Sequence, residues 1–213
     1  MSDNKLIITH LDNNNIEHRE AAANLHIKLL ENSYLSMFGY DFLVDYYYKL
    51  LIKNGIINCL LCVSNNKYIG FAGFTKYPFS FMTIGFKKYF FQFLFFFIKK
   101  IFIKPKIIIL LIKIVKEGIS RKFSKKSSNS SSEFLSLGVL SEHSHENDII
   151  TGLPASRLLI SNVIKNCKKE GIKDMRMVIK SKNIKSLSVF KSFDGKIVND
   201  KFTKDSVELM LYF

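Results

Sequence analysis

The sequence predicts an α/β (α+β) domain interrupted by a helical insertion, and three observations carry that prediction. Short β-branched runs alternate with longer helical stretches on either side of residues 78–132. Residues 78–132 differ from both flanks, being at once the most basic and the most apolar part of the chain. The chain has 213 residues, 47% hydrophobic and 14% aromatic, with three prolines, enough to bury the core of one domain and too apolar for a disordered chain.

Leu6-Ile7-Ile8-Thr9-His10-Leu11 reads as the first strand. Helices follow from about Glu17 to Asn32 and from about Asp41 to Lys53, separated near Gly39. Asn58 to Val63 and Lys67 to Lys76 are strands joined by the turn formers Ser64-Asn65-Asn66, an antiparallel hairpin. After the insertion, Glu133 to Leu140 is apolar enough for a central strand. Ser156 to Lys169 is a helix closed by Gly171, Asp174 to Lys180 a strand, and Asn183 to Phe193 a short helix capped by Asn183. Lys196-Ile197-Val198 and Val207 to Tyr212 complete the sheet.

The formal net charge of +14 is concentrated. Between Gly85 and Lys126 twelve basic residues meet one acid, Glu117, giving +11 there and +3 elsewhere. Such a block suits an anionic partner. Only four of the 32 cations are arginine, the residue that reads phosphate and guanine bidentately, so nucleic acid is disfavoured. The apolar runs Tyr89 to Ile98 and Ile107 to Ile112 are shorter than the ~20 residues that span a bilayer. Pro105 divides the segment into candidate helices over Phe86–Ile103 and Lys106–Glu117, with Lys88, Gln92 and Lys99 on one stripe of the first. Two readings stand together: an amphipathic hairpin lying in an anionic membrane interface, or a pair of helices packed on the parent domain or on a second subunit of a homodimer. Ser124 to Ser132 is a flexible linker back to the fold.

Cys59, Cys62 and Cys167 have no metal-site spacing, and the odd count excludes a disulfide scaffold. Cys59-Leu60-Leu61-Cys62-Val63 is a buried strand rather than a redox motif. His143 and His145, with Glu142, Glu146 and Asp148, form a polar surface loop rather than a metal site. His26 reads as a helix histidine satisfied by its neighbours. The start of the sequence lacks a signal-peptide apolar region, and a reducing, cytoplasmic setting is expected, peripheral on the inner face of the membrane if the insertion binds lipid.

The order of elements, with three segments, resembles the GCN5-related N-acetyltransferase superfamily. Tyr68-Ile69-Gly70-Phe71-Ala72-Gly73-Phe74 is similar to the family's third strand. Glu133-Phe134-Leu135-Ser136-Leu137-Gly138-Val139 is similar to its fourth, and Asn183 through Gly195 resembles its N-x-x-A-x-x-F-Y-x-x-L-G-F motif. The run from His26 through Tyr46–Tyr48, together with the insertion, resembles a subgroup linked to surface polysaccharide and sugar modification. The resemblance implies a single domain over 1–213, a mixed central sheet flanked by helices, and acetyl-CoA as co-substrate. It implies that the pantetheine arm lies along Leu137, Gly138 and Val139 where the fourth and fifth strands part. The pyrophosphate would lie at Gly152, Ala155 and Ser156, with Asn183 also at the cofactor and Glu133 as general base. It implies an amino-sugar acceptor, a small molecule or lipid-linked at a membrane surface. The sequence departs from the family pattern twice. The loop Ser141–Ser156 is about six residues longer, lacks the family's Arg/Gln and contains Pro154, and Phe190 stands where the family has tyrosine. Those departures favour the alternative, a degenerate fold acting as a non-catalytic binding or membrane-adaptor module.

Overall fold

The computed structural model describes residues 5–103, 130–203 and 205–213; the expected second insertion helix, over 106–117, and most of the Ser-rich linker lie outside the described residues. Seven strands form one sheet in the order β1-β2-β3-β4-β5-β7-β6. They are β1 Leu6–His10, β2 Asn58–Ser64, β3 Lys67–Thr75, β4 Glu133–Val139, β5 Asp174–Lys180, β6 Lys196–Thr203 and β7 Ser206–Tyr212. Every neighbouring pair is antiparallel except β4 with β5. The β2–β3 hairpin turns through Asn65 and Asn66, both with positive φ, as a tight two-residue connection requires of its central residues.

Two apolar layers sandwich the sheet. The front layer holds α1 (Ile16–Leu29), α2 (Tyr34–Phe38) and α3 (Phe42–Leu51) against Cys59, Leu61 and Phe71. The back layer holds α6 (Ala155–Lys169) and α7 (Ile184–Lys191) against Leu60, Cys62, Ile69, Phe134, Met175 and Met177. Cys59 and Cys62 face opposite layers, as an odd spacing on a strand demands, so they cannot bridge. Burial pushes the Cys62 and Cys167 thiols up to about 12, leaving both inert.

Asn15 caps α1, its side chain accepting from the Glu17 and His18 amides. Two local features depart from the expected elements. The second helix is π-helical over its ten central residues. Tyr46, Tyr47 and Tyr48 are all buried, and the wider turn spreads that consecutive aromatic bulk among the sheet, α1 and the insertion. The insertion's first helix starts earlier than expected and breaks at Tyr89, giving α4 (Phe81–Lys88) and α5 (Phe90–Ile103). These two are bent by 92°, so the expected stripe is broken between Lys88 and Gln92. The break lets both helices rest on α3: Gly85 lies so close to Leu51 that a Cβ would fall 2.6 Å from it, and Phe93 packs against Phe38, Phe42 and Tyr46. Among the described residues no single helix is long and apolar enough to cross a membrane.

Candidate functional site

β4 is closed along one edge and open along the other. Against β3 it pairs from Thr75–Glu133 to Gly70–Val139, interrupted by a register shift between Gly73 and Phe74 that leaves Leu135 as an extra residue. Against β5 it pairs at two positions alone, Glu133 with Arg176 and Phe134 with Met177. Pairing with β5 therefore stops where β4 bulges, and a bulge bends its strand and adds local twist. Beyond that point β5 stays paired with β7 as far as Lys180–Ser206. The expected divergence of these adjacent, parallel strands is present.

The ladder to β3 decides which backbone groups face the gap. The Leu140 amide donates to the Ile69 carbonyl at 2.8 Å, and the Gly138 carbonyl points at Gly70, whose added Cβ would lie 2.9 Å from it. Alternation along an antiparallel ladder then turns the N–H and C=O of Leu137 and Val139 toward β5, into the gap. Of the three neighbouring positions expected at the pantetheine, two thus offer backbone groups there, and Gly138 offers its own to β3. Leu137, Gly138 and Val139 are all half-buried.

The loop from Asn147 to Pro154 leads into α6, and its extra length is organised around one carboxylate. Asp148 is buried and accepts from the Leu6 amide at the start of β1 and from the Thr151 amide and hydroxyl. Burial pulls its pKa upward, but the hydrogen bonds from Thr151, Leu6 and Ile150 outweigh it and hold the carboxyl below its ordinary value. The Gly152 amide closes the turn onto the Asp148 carbonyl with φ +66°, and an Asn147–Pro154 bridge ties the two ends of the loop together. Pro154 occupies the N-cap of α6, where its missing N–H costs no helical bond. Ala155 is buried and Ser156 half-buried at the first turn, where helix amides favour an anion. His143 lies 2.6 Å from Glu146, which also accepts from Ser64, so this pair fastens the loop to β2.

Glu133 begins β4, half-buried, with its Oε2 accepting from the Phe79 amide at 2.9 Å. The Phe79 ring covers the Arg176 guanidinium at 3.6 Å, and Arg176 is paired with Glu208 at 3.1 Å, both buried. Tyr47 lies on the same front side; burial above all, then Cys59 and Glu133, raise its phenol far beyond the usual range, so it remains a neutral donor. The Tyr47 and Ser136 hydroxyls are buried without a hydrogen-bond partner among the described residues. From the sequence, Phe79, Tyr47 and Ser136 carry no expected role. The Tyr77-Pro78-Phe79-Ser80 turn carries a visible signal in its proline, whereas the two hydroxyls become notable through burial alone.

The remaining expected residues divide by role. Asn183 is exposed, and its Oδ1 accepts from the Ser186 amide at 3.1 Å, so it caps α7 as expected. Phe190 is buried on the back face, edge-on to Phe134 with ring centroids 5.0 Å apart, directly behind the last β4–β5 pair. His26 is a structural histidine, as expected. Its Nδ1 is hydrogen-bonded with the Tyr48 hydroxyl at 2.9 Å and its Nε2 with Ser33 Oγ at 3.3 Å, while its ring stacks on Phe71. Burial lowers its pKa to about 4. Beside the end of β4, a cavity of about 420 Å³ opens on the front between α1, Tyr68 and Leu140, with Glu17, Glu20, Asn24 and Lys28 on its wall.

A half-open β4 followed by a helix N-terminus on the back face defines the site, and solved structures share the overall fold. A putative acetyltransferase from Acinetobacter baylyi ADP1 aligns with 100% of this chain and 94% of its own, at a TM-score of 0.60 and 11% identity. The fold is that of the GCN5-related N-acetyltransferases. An aminoglycoside 6'-acetyltransferase of type Ii aligns over 97% of this chain and 96% of its own, at TM-score 0.56 and 13% identity. The PaiA N-acetyltransferase of Thermoplasma acidophilum, solved in complex with coenzyme A, aligns over 98% and 99%, at TM-score 0.55 and 14% identity. No family model and no curated protein sequence matches the chain. The N-acetyltransferase fold is therefore carried here by a sequence far from those of its structural neighbours.

Proposed function

We propose that the protein is an acetyl-CoA-dependent N-acetyltransferase, with an amino sugar as acceptor, free or lipid-linked at a membrane surface. The open edge of β4 carries the reading. The pantetheine amides pair with the backbone of Leu137 and Val139 as an added strand does. Gly138, which has no side chain, leaves room beside them for Leu29 of α1 and the Phe71 ring, and the pyrophosphate rests on the first turn of α6 at Ala155 and Ser156, with Gly152 in the loop before it. The absent Arg/Gln leaves backbone amides and the helix dipole as the main attraction there, so affinity for coenzyme A is expected to be modest. Asn183 serves this site indirectly, by starting α7 behind it.

In the proposed reaction the acceptor nitrogen attacks the thioester carbonyl, a C–N bond forms, the C–S bond breaks, and coenzyme A leaves as its thiolate. Glu133 takes the nitrogen's proton through a water that the Tyr47 and Ser136 hydroxyls can orient. Phe190 has no proton to give, so solvent protonates the thiolate. The acidic wall at Glu17 and Glu20 supports a cationic acceptor, because it raises the local concentration of protonated amines beside the end of β4. The direct experiment is thiol release from acetyl-CoA across a panel of amino sugars. Turnover with one of them, lowered about 10²–10⁴-fold by Glu133→Gln with little change in coenzyme A affinity, is the expected result. Coenzyme A binding without turnover on any amine would instead favour a non-catalytic module built on the same fold.

A further inference from the structure

We propose that the outer face of α5, with the elbow between α4 and α5, docks on an anionic lipid bilayer. α5 has two unlike sides. Phe93, Phe96 and Phe97 turn inward and pack with the front layer. Phe91, Phe95 and Ile98 turn outward, 80%, 66% and 45% exposed. Their i, i+4, i+7 spacing places all three on one stripe. Phe86 and Phe90 extend it at the elbow, 38% and 41% exposed, with rings in contact with each other and Phe90 in turn against Phe91. Scattered exposed apolar side chains need no explanation; a contiguous aromatic stripe on one helix does.

Charge selects the occupant. Lys87 and Lys88 are exposed at the elbow, and residues 85–126 carry +11. A second copy of the chain is the obvious rival. A two-fold contact through this stripe would bring Lys87 and Lys88 of both copies together, with no acid among the described residues of α4 and α5 to offset them. An anionic bilayer offers the opposite charge to the lysines and an apolar interior to the rings, so both attractions act at one surface. Neither helix alone is long enough to cross, and the two are bent by 92°, which suits lying in the interface. Since α5 rests on α3, and α3 on the front of the sheet, docking turns the helix-covered front, with Glu133 and the acidic cavity, toward the bilayer. The inference does not depend on the transferase reading, because its test reads partitioning and not turnover.

The experiment is co-sedimentation of the full chain with phosphatidylcholine vesicles, with and without phosphatidylglycerol, at low and high salt. The expected result is binding to the anionic vesicles at low salt, weakened but retained at high salt, and little binding to the neutral ones. Phe91→Ser/Phe95→Ser, whose side chains face outward, should keep the native circular dichroism and lose about tenfold or more of the affinity at both salt concentrations. Lys87→Glu/Lys88→Glu should lose about tenfold at low salt and much less at high salt. Wild-type protein left in the supernatant with anionic vesicles at low salt overturns the proposal. So does equal sedimentation of the phenylalanine double variant. A dimer dispersed by Phe91→Ser/Phe95→Ser, in protein that ignores vesicles, would overturn it in favour of a second copy.

Discussion

The two edges of β4 belong to one strand and meet opposite fates. Toward β3 the ladder runs the length of the strand, and Gly70 lets the two backbones come close. Toward β5 it ends after Phe134 and Met177, and the Leu137 and Val139 backbone groups are left facing a gap. The bulge at Leu135 marks the change. In the proposed function, structural and functional roles separate by the direction of the peptide groups within a few residues, and side-chain chemistry enters mainly at Glu133.

Proline substitution is the sharpest way to break the comparison, since it deletes one N–H at a chosen position. Gly138→Pro removes a donor to β3 in a central strand and should lower unfolding free energy by about 3 kcal/mol or more in urea titration. Val139→Pro removes a donor to the gap, where no ladder bond is lost, and should cost about 1 kcal/mol or less. Equal losses at the two positions would show that the edges are not different.

Acid should loosen the closed edge next. His26 stacks on Phe71, the β3 partner of Gly138, and is neutral in the folded protein with a pKa of about 4. In the unfolded chain it takes up its proton near pH ~6.5, so the unfolded state binds the proton first as pH falls. The stability this group confers is full above pH ~6.5 and is lost progressively down to about 4, on the order of 3 kcal/mol in all. Urea titrations across that range should show the slope, and His26→Gln should flatten it.

The smallest effect concerns the point of divergence itself. Phe190 braces Phe134, the last β4 residue paired with β5. Phe190→Tyr places a hydroxyl among buried apolar groups on the back face and should lower stability by about 1–2 kcal/mol. Its initial rate of thiol release should equal or exceed that of the parent protein. A slower rate would show that the ring packing, rather than the missing proton donor, matters at this position.

Much of this architecture was legible beforehand because it is written in local patterns. The hairpin is announced by Asn65-Asn66, the end of α6 by Gly171, and the start of α7 by Asn183. Long-range effects were not legible. The π-helical turn of α3 answers to packing of three consecutive tyrosines by neighbours distant in sequence, and the bend at Tyr89 answers to the surface of α3. In the site, the strand that opens could be read from resemblance. Which of Leu137, Gly138 and Val139 face the gap depends on a ladder phase fixed by Leu140 and Ile69 across the sheet. Asp148 looked like one more polar residue in a surface loop, and its role appears once the loop folds back onto Leu6.

The central claim is that the open edge of β4 receives a coenzyme A thioester. Isothermal titration of the wild-type chain with acetyl-CoA, repeated on Val139→Pro, tests it most directly. The account predicts one-to-one binding by the wild type and a loss of about tenfold or more in affinity for a variant that stays folded, within about 1 kcal/mol of its parent's stability. No heat of binding from the folded wild type, or undiminished affinity in Val139→Pro, would contradict it.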